Sequence, residues 1–256
     1  MQHQIVSREQ WLEARTALLE KEKAFTKAQE RMSAEKRALP WVKIEKDYVF
    51  DSPSGKVTLS DLFNGHSQLF IKHFMLAPGQ EKPCFGCGLV VDHVEGILRH
   101  LANNDVSYVA IARAPIAEIE AARKSMGWNF PWVSSFNNDF NYDFDVSFTA
   151  EEREKGTAFY NYEYGDPGID DLSGGSVFYK DEDGQIYHTY SAFGRGDEQF
   201  LGVYAYFDIM PKGRNENGPH FNLGDWARLK NTNGRTSNPP APIHEQAAAC
   251  ACSTHS

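Results

Sequence analysis

The strongest constraint on the fold lies between residues 68 and 193, where strand and helix patterns alternate in a fixed order. Residues 68–76 (QLFIKHFML) read as a buried strand. Residues 84–101 follow as a helix, with Val90, Val94, Ile97, Leu98 and Leu101 along its apolar face. Val106–Ala112 is a second buried strand. Residues 115–126 are a second helix, opened by a proline in its first turn and closed by Gly127. Residues 177–180 and Ile186–Phe193 flank Asp181-Glu182-Asp183-Gly184, a hairpin signal. The order β-α-β-α-β-β predicts an α/β fold with a mixed central sheet, in which a parallel pair is extended by an antiparallel hairpin and helices cover the faces.

Three segments decorate this unit. Ser7 with Gln10 fits a capping box, and Trp11, Leu12, Ala14, Leu18, Leu19 and Phe25 recur at helical spacing among Lys and Glu. An amphipathic helix within residues 1–40 is therefore expected to stop before Pro40. It either packs on the domain or acts as an arm that clasps a second subunit, which would make a homodimer. Residues 136–173 form an aromatic-rich insertion in the domain spanning 41–230; its rings lap over the core or wall a cleft. Residues 231–256 are polar and proline-rich at first and are expected to be a flexible tail.

Charge and hydropathy exclude several classes of partner. With 35 acidic against 26 basic residues and a net charge of -9, the chain lacks the basic footprint that nucleic acid requires. No apolar run is long enough to cross a bilayer and the N-terminus lacks a secretory signal, so no membrane partner and a cytoplasmic location are expected.

In a reducing compartment the four cysteines carry most of the functional information. Cys84-Phe85-Gly86-Cys87 is a Cys-x-x-Cys pair at the start of a helix, directly after a strand and a short loop. The reacting species is a thiolate, and amide hydrogens together with the positive end of a helix dipole favour it there. Cys84 takes that place and is the expected nucleophile. Cys87 lies one turn further on the buried stripe, placed to resolve a mixed disulfide formed at Cys84. The same spacing also serves half of many zinc sites, and the other pair, Cys250 and Cys252 with His255 nearby, lies in the tail. A metal-binding module is thus an alternative, and a non-catalytic interaction protein is another. Cys250 and Cys252 could be inert, weak metal ligands, or a pair that exchanges with the first in cis. His93, half a revolution round the helix from Cys84, is expected at the surface, and no cofactor or resident metal is expected.

Several longer motifs add a family resemblance. Residues 48–62 (YVFDSPSGKVTLSDL), the QLFIKHFML strand, the Cys-x-x-Cys, 112–115 (ARAP), 127–135 (GWNFPWVSS), 140–144 (FNYDF) and 208–214 (DIMPKGR) resemble the bacterial proteins grouped as domain of unknown function 899. The resemblance implies a thioredoxin-like fold and thiol-disulfide oxidoreductase activity. More distantly, residues 130–135 (FPWVSS) and 178–186 resemble peroxiredoxins, although Glu81 and Ala77 stand where that family's motif has a hydroxyl residue and a proline. Thioredoxins place a cis-proline opposite the redox pair, whereas this chain has Gly174-Gly175-Ser176. The expected function is an oxidoreductase cycling through a Cys84–Cys87 disulfide, with Phe85, Trp132, Gly175 and Ser176 at the rim of the site. Its substrate would be a disulfide-containing protein or a small-molecule thiol compound, reset by an electron donor.

Overall fold

The computed structural model describes residues 3–232, and the chain divides into a unit ending at Trp41 and a body beginning at Val42. The first unit is built on α1 (Arg8–Arg37). Ser7 Oγ accepts from the Gln10 amide while the Gln10 side chain accepts from the Ser7 amide, so the expected capping box forms. None of its residues is buried.

In the body, β1 (Val42–Lys43), β2 (Val49–Ser52) and β3 (Gly55–Thr58) precede β4 (Gln68–His73). After the loop to Cys84 come α2 (Phe85–Val94), α3 (Leu98–Asn103), β5 (Val106–Ala112), α4 (Ile116–Met126) and β6 (Trp132–Ser134). The insertion supplies α5 (Phe140–Asp143), α6 (Ala150–Lys155), β7 (Ala158–Tyr160) and β8 (Glu163–Gly165); β9 (Gly174–Lys180), β10 (Ile186–Phe193) and α7 (Gly202–Phe207) complete the set. The main sheet has eight strands in the order β1-β10-β9-β4-β5-β6-β2-β3. β4 runs parallel to β5, β5 parallel to β6, and β9 antiparallel to both β4 and β10. A parallel β4–β5 pair joined through α2 and α3, with a β9–β10 hairpin added beside β4, is the mixed sheet that the strand order anticipated, and it fits the thioredoxin-like fold that the resemblance implied.

Alternation along the central strands divides the core. Tyr108, Ala110 and Ala112 of β5 join Phe74, Val91, Ile119, Trp128 and Phe130 on the face covered by α2 and α4. Leu69, Ile71, Val109 and Ile111 point the other way, toward Phe50, Phe63, Phe140, Phe144 and Phe178. The insertion's rings therefore split. Phe140, Phe144 and Phe148 are core, while Phe136, Tyr162 and Tyr164 are exposed. Arg113 forks onto both oxygens of Asp171 at 2.8 Å, tying the insertion to the end of β5.

Two differences from the sequence reading have local causes. The expected helix over 84–101 is two helices, interrupted at Glu95-Gly96-Ile97, where glycine weakens the helical run and Ile97 is left exposed. Strand β9 starts at Gly174, three residues early, because Gly174 and Gly175 let β9 pass under large rings. A Cβ on Gly174 would lie 2.5 Å from Phe193, and one on Gly175 would lie 2.7 Å from Phe70.

A polar chain crosses the otherwise apolar face of the sheet. His73 Nε2 hydrogen-bonds Ser176 Oγ, which meets Ser191 Oγ, which meets His188 Nε2, each link at 2.8 Å. His73 also packs against Phe140 and Phe144. Burial, aided by the charges of Lys72 and His188, depresses its pKa to about 3 from 6.5. The folded state thus keeps His73 neutral, while the unfolded chain takes up a proton as pH falls through 6.5. Between those two values the unfolded state binds more protons, so stability falls with pH. Unfolding by urea at pH 7 and pH 4 should show His73 withdrawing about 3 kcal/mol over that interval. His73→Leu should lose that part of the pH dependence; an unchanged pH dependence would contradict the assignment.

Candidate active site

Strand β4 sends Phe70 and Lys72 to the face beneath α2, and the chain then loops back so that Cys84 comes alongside Met75 (Cys84 N to Met75 O, 3.4 Å). Cys84 is the N-cap of α2: its φ of -57° and ψ of 125° are non-helical, and its Sγ accepts from the Cys87 amide at 3.4 Å. Cys87, inside the first turn, accepts a hydrogen bond on Sγ from the Met75 amide at 3.5 Å. Both are free thiols and both are buried, Cys84 at 5% exposure and Cys87 at 2%.

Beneath them lies a group that the sequence reading missed. Lys72, fully buried, donates to Asp197 Oδ2, and Asp197 sits in the tight turn of residues 194–200 that follows β10. Burial opposes the lysine's charge, but Asp197 and the two sulfurs more than offset it and hold its pKa above the ordinary value. The same burial pushes the Cys87 thiol well above its usual pKa; the hydrogen bond with Cys84 and that sulfur's charge add to the rise, and Lys72 pulls against it. Cys87 is therefore a protonated thiol at neutral pH. Asp197 Oδ2 also accepts from Ser173 at 3.4 Å, whereas its buried Oδ1 has no protein partner.

Lys72, Cys84, Cys87, Ser173, Arg195 and Asp197 line a cavity of about 40 Å3, with Gly86, Leu201 and Leu223 among its other walls. That is room for a few water-sized groups. Arg195, paired with Glu198 at 3.0 Å, stands at the same cavity and is itself largely exposed.

The expected rim residues are placed differently. Phe85 opens α2 half-buried and is not part of the cavity wall. Trp132 is buried among Phe74, Trp128 and Phe130, because β6 pairs with β5 and turns that side chain into the core. Gly175 lies under Phe70, and Ser176 belongs to the histidine–serine chain on the far face. The cavity takes Ser173, at the end of the insertion, in place of Gly175 and Ser176. His93 is half-buried: its Nδ1 is 2.6 Å from Leu89 O and its Nε2 accepts from the Val203 amide at 3.1 Å, so it joins α2 to α7. Among the described residues, no three His, Cys, Asp or Glu side chains come together in a way that could hold a metal ion. Cys250 and Cys252 lie outside the described residues.

No helix among the described residues is long and apolar enough to cross a membrane. No curated protein matches the sequence. Solved structures similar to it include the peroxidoxin BcpB from Mycobacterium tuberculosis, 13% identical over 64% of this chain and 95% of that one, with a TM-score of 0.41. Peroxiredoxin Q from Xanthomonas campestris, as its C84S mutant, is 16% identical over 62% of this chain and 90% of that one, with a TM-score of 0.41. A putative protein disulfide isomerase from Bacteroides thetaiotaomicron is 19% identical over 68% of this chain and 94% of that one, with a TM-score of 0.38. The family model described as "Bacterial protein of unknown function (DUF899)" matches residues 1–233. The chain belongs to that bacterial family.

Proposed function

We propose that this protein is a thiol-disulfide oxidoreductase that cycles between a Cys84, Cys87 dithiol and a Cys84–Cys87 disulfide. The observation that carries this reading is the placement of Cys84 as the N-cap of α2, its sulfur accepting the Cys87 amide, above the buried cation of Lys72. Amide, helix dipole and ammonium all favour negative charge at that sulfur. Cys84 attacks one sulfur of a disulfide substrate, forming a mixed disulfide and expelling the other half as a thiolate that takes a proton. Cys87 then gives up its proton and attacks Cys84 Sγ; Asp197, which lines the same cavity and has an unpartnered Oδ1, is the base assigned to it in this reading. The second half leaves as a thiol. Two electrons have passed from the protein to the substrate, and a dithiol donor returns them by the reverse exchange. Because Cys84 is nearly buried beside a cavity of about 40 Å3, small disulfides suit the site better than folded proteins.

The resolving step can be trapped. Cys87→Ser keeps the nucleophile but removes the group that expels the substrate, so incubation with a small disulfide should leave an adduct on Cys84, detected by peptide mass. Cys84→Ser should accumulate none, and adducts on Cys87 would reverse the roles.

The role of the lysine can be tested separately. Removing Lys72 alone would leave Asp197 as a buried unpaired charge, a change that costs about 3–5 kcal/mol. The neutral pair Lys72→Met with Asp197→Asn avoids this. In that folded double variant, alkylation of Cys84 at pH 7 should fall about tenfold, since its thiolate loses the neighbouring cation. An unchanged rate profile would remove Lys72 from the chemistry.

A further inference from the structure

Helix α1 carries an apolar stripe, and none of the helix's residues is buried. Trp11, Leu18, Phe25 and Met32 recur at intervals of seven and are 46%, 50%, 69% and 53% exposed. Three residues after each come Ala14, Lys21, Ala28 and Glu35. The first row gives the a positions of four heptads, and the second gives their d positions, apolar at Ala14 and Ala28 and charged at Lys21 and Glu35. A helix of 30 residues reaches about 45 Å, enough for a continuous seam. Such a stripe left in water is unfavourable, and an isolated helix gains most of its stability from packing.

We propose that α1 is the contact with a second copy of this chain, the two helices running antiparallel. The second row decides the orientation. A parallel, in-register pair would set Lys21 against Lys21 and Glu35 against Glu35 within the seam. The antiparallel pair instead sets Leu18 against Ala28 and Met32 against Ala14. Phe25 lies along the aliphatic stem of Lys21, and Trp11 lies beside Glu35 near the helix ends. Large side chains then meet small ones in every layer that lacks a charge, and the helix dipoles oppose each other. The polar face favours a protein partner over a lipid surface, because α1 intersperses six acidic with eight basic residues and so offers an anionic bilayer little net charge. This inference does not rest on the redox reading.

Light scattering on the purified full chain at tens of micromolar should give a dimer. Leu18→Asp with Phe25→Asp should weaken the association at least 100-fold while the melting temperature of the body stays unchanged. For orientation, Leu18→Cys and Ala28→Cys chains mixed under mild oxidation should give a cross-linked peptide joining positions 18 and 28, whereas Leu18→Cys alone should not link to itself. A monomeric wild type, a dimer that persists in the double Asp variant, self-linked Leu18→Cys, or a monomer that binds phosphatidylserine vesicles through α1 would each overturn the proposal.

Discussion

The buried ion pair of Lys72 and Asp197 is the interaction on which the site's arrangement turns. A lysine in the middle of a central strand is costly unless its charge is matched, and the match comes from a turn 125 residues away in sequence. To bring it there, β10 must return beside β9 and β9 beside β4, so the hairpin and the turn after it are fixed in place relative to the cysteines. The pair and the two thiols line the same cavity. Breaking the pair would leave an unmatched charge beside the sulfurs and remove a structural tie.

The cysteines, in turn, are held from both sides by backbone. The Cys87 amide points at Cys84 Sγ and the Met75 amide at Cys87 Sγ, so each sulfur has a donor before any substrate arrives. Burial sets the state of the inner one. Cys87 stays protonated under the desolvation of the core, while Cys84 caps the helix terminus, and both line the cavity. On the opposite face of the same strands, His73 shows the converse economy: neutral, hydrogen-bonded to Ser176 and stacked on Phe140, it fills a polar niche without contributing charge.

What could be read from the sequence was what local patterns encode. Strands β4 and β5, helix α4 with Gly127 in the left-handed conformation, the β9–β10 hairpin and the capping box at Ser7 rest on residues within a few positions of each other, and they form as expected. The Cys-x-x-Cys sits at the helix start for the same reason. Long-range placement was hidden. Lys72 follows the apolar run Leu69-Phe70-Ile71 of the strand, a visible sign of a buried charge, but nothing local names Asp197 as its partner. Trp132 suggested a rim by residue type, yet strand pairing at β6 decided that it faces the core. The short strands β1, β2, β3, β7 and β8 have two to four residues each, too few for alternation to show.

The central claim is that Cys84 and Cys87 form one redox couple. Its most direct test is an equilibrium redox titration of the full chain across roughly -320 to -120 mV, the span between reducing and oxidising thiol couples. The disulfide would be identified by peptide mapping at each poise. The expected result is a single two-electron transition in which Cys84 and Cys87 become joined to each other. Both thiols persisting across the whole span, or a disulfide that joins either of them to a different cysteine, would contradict it.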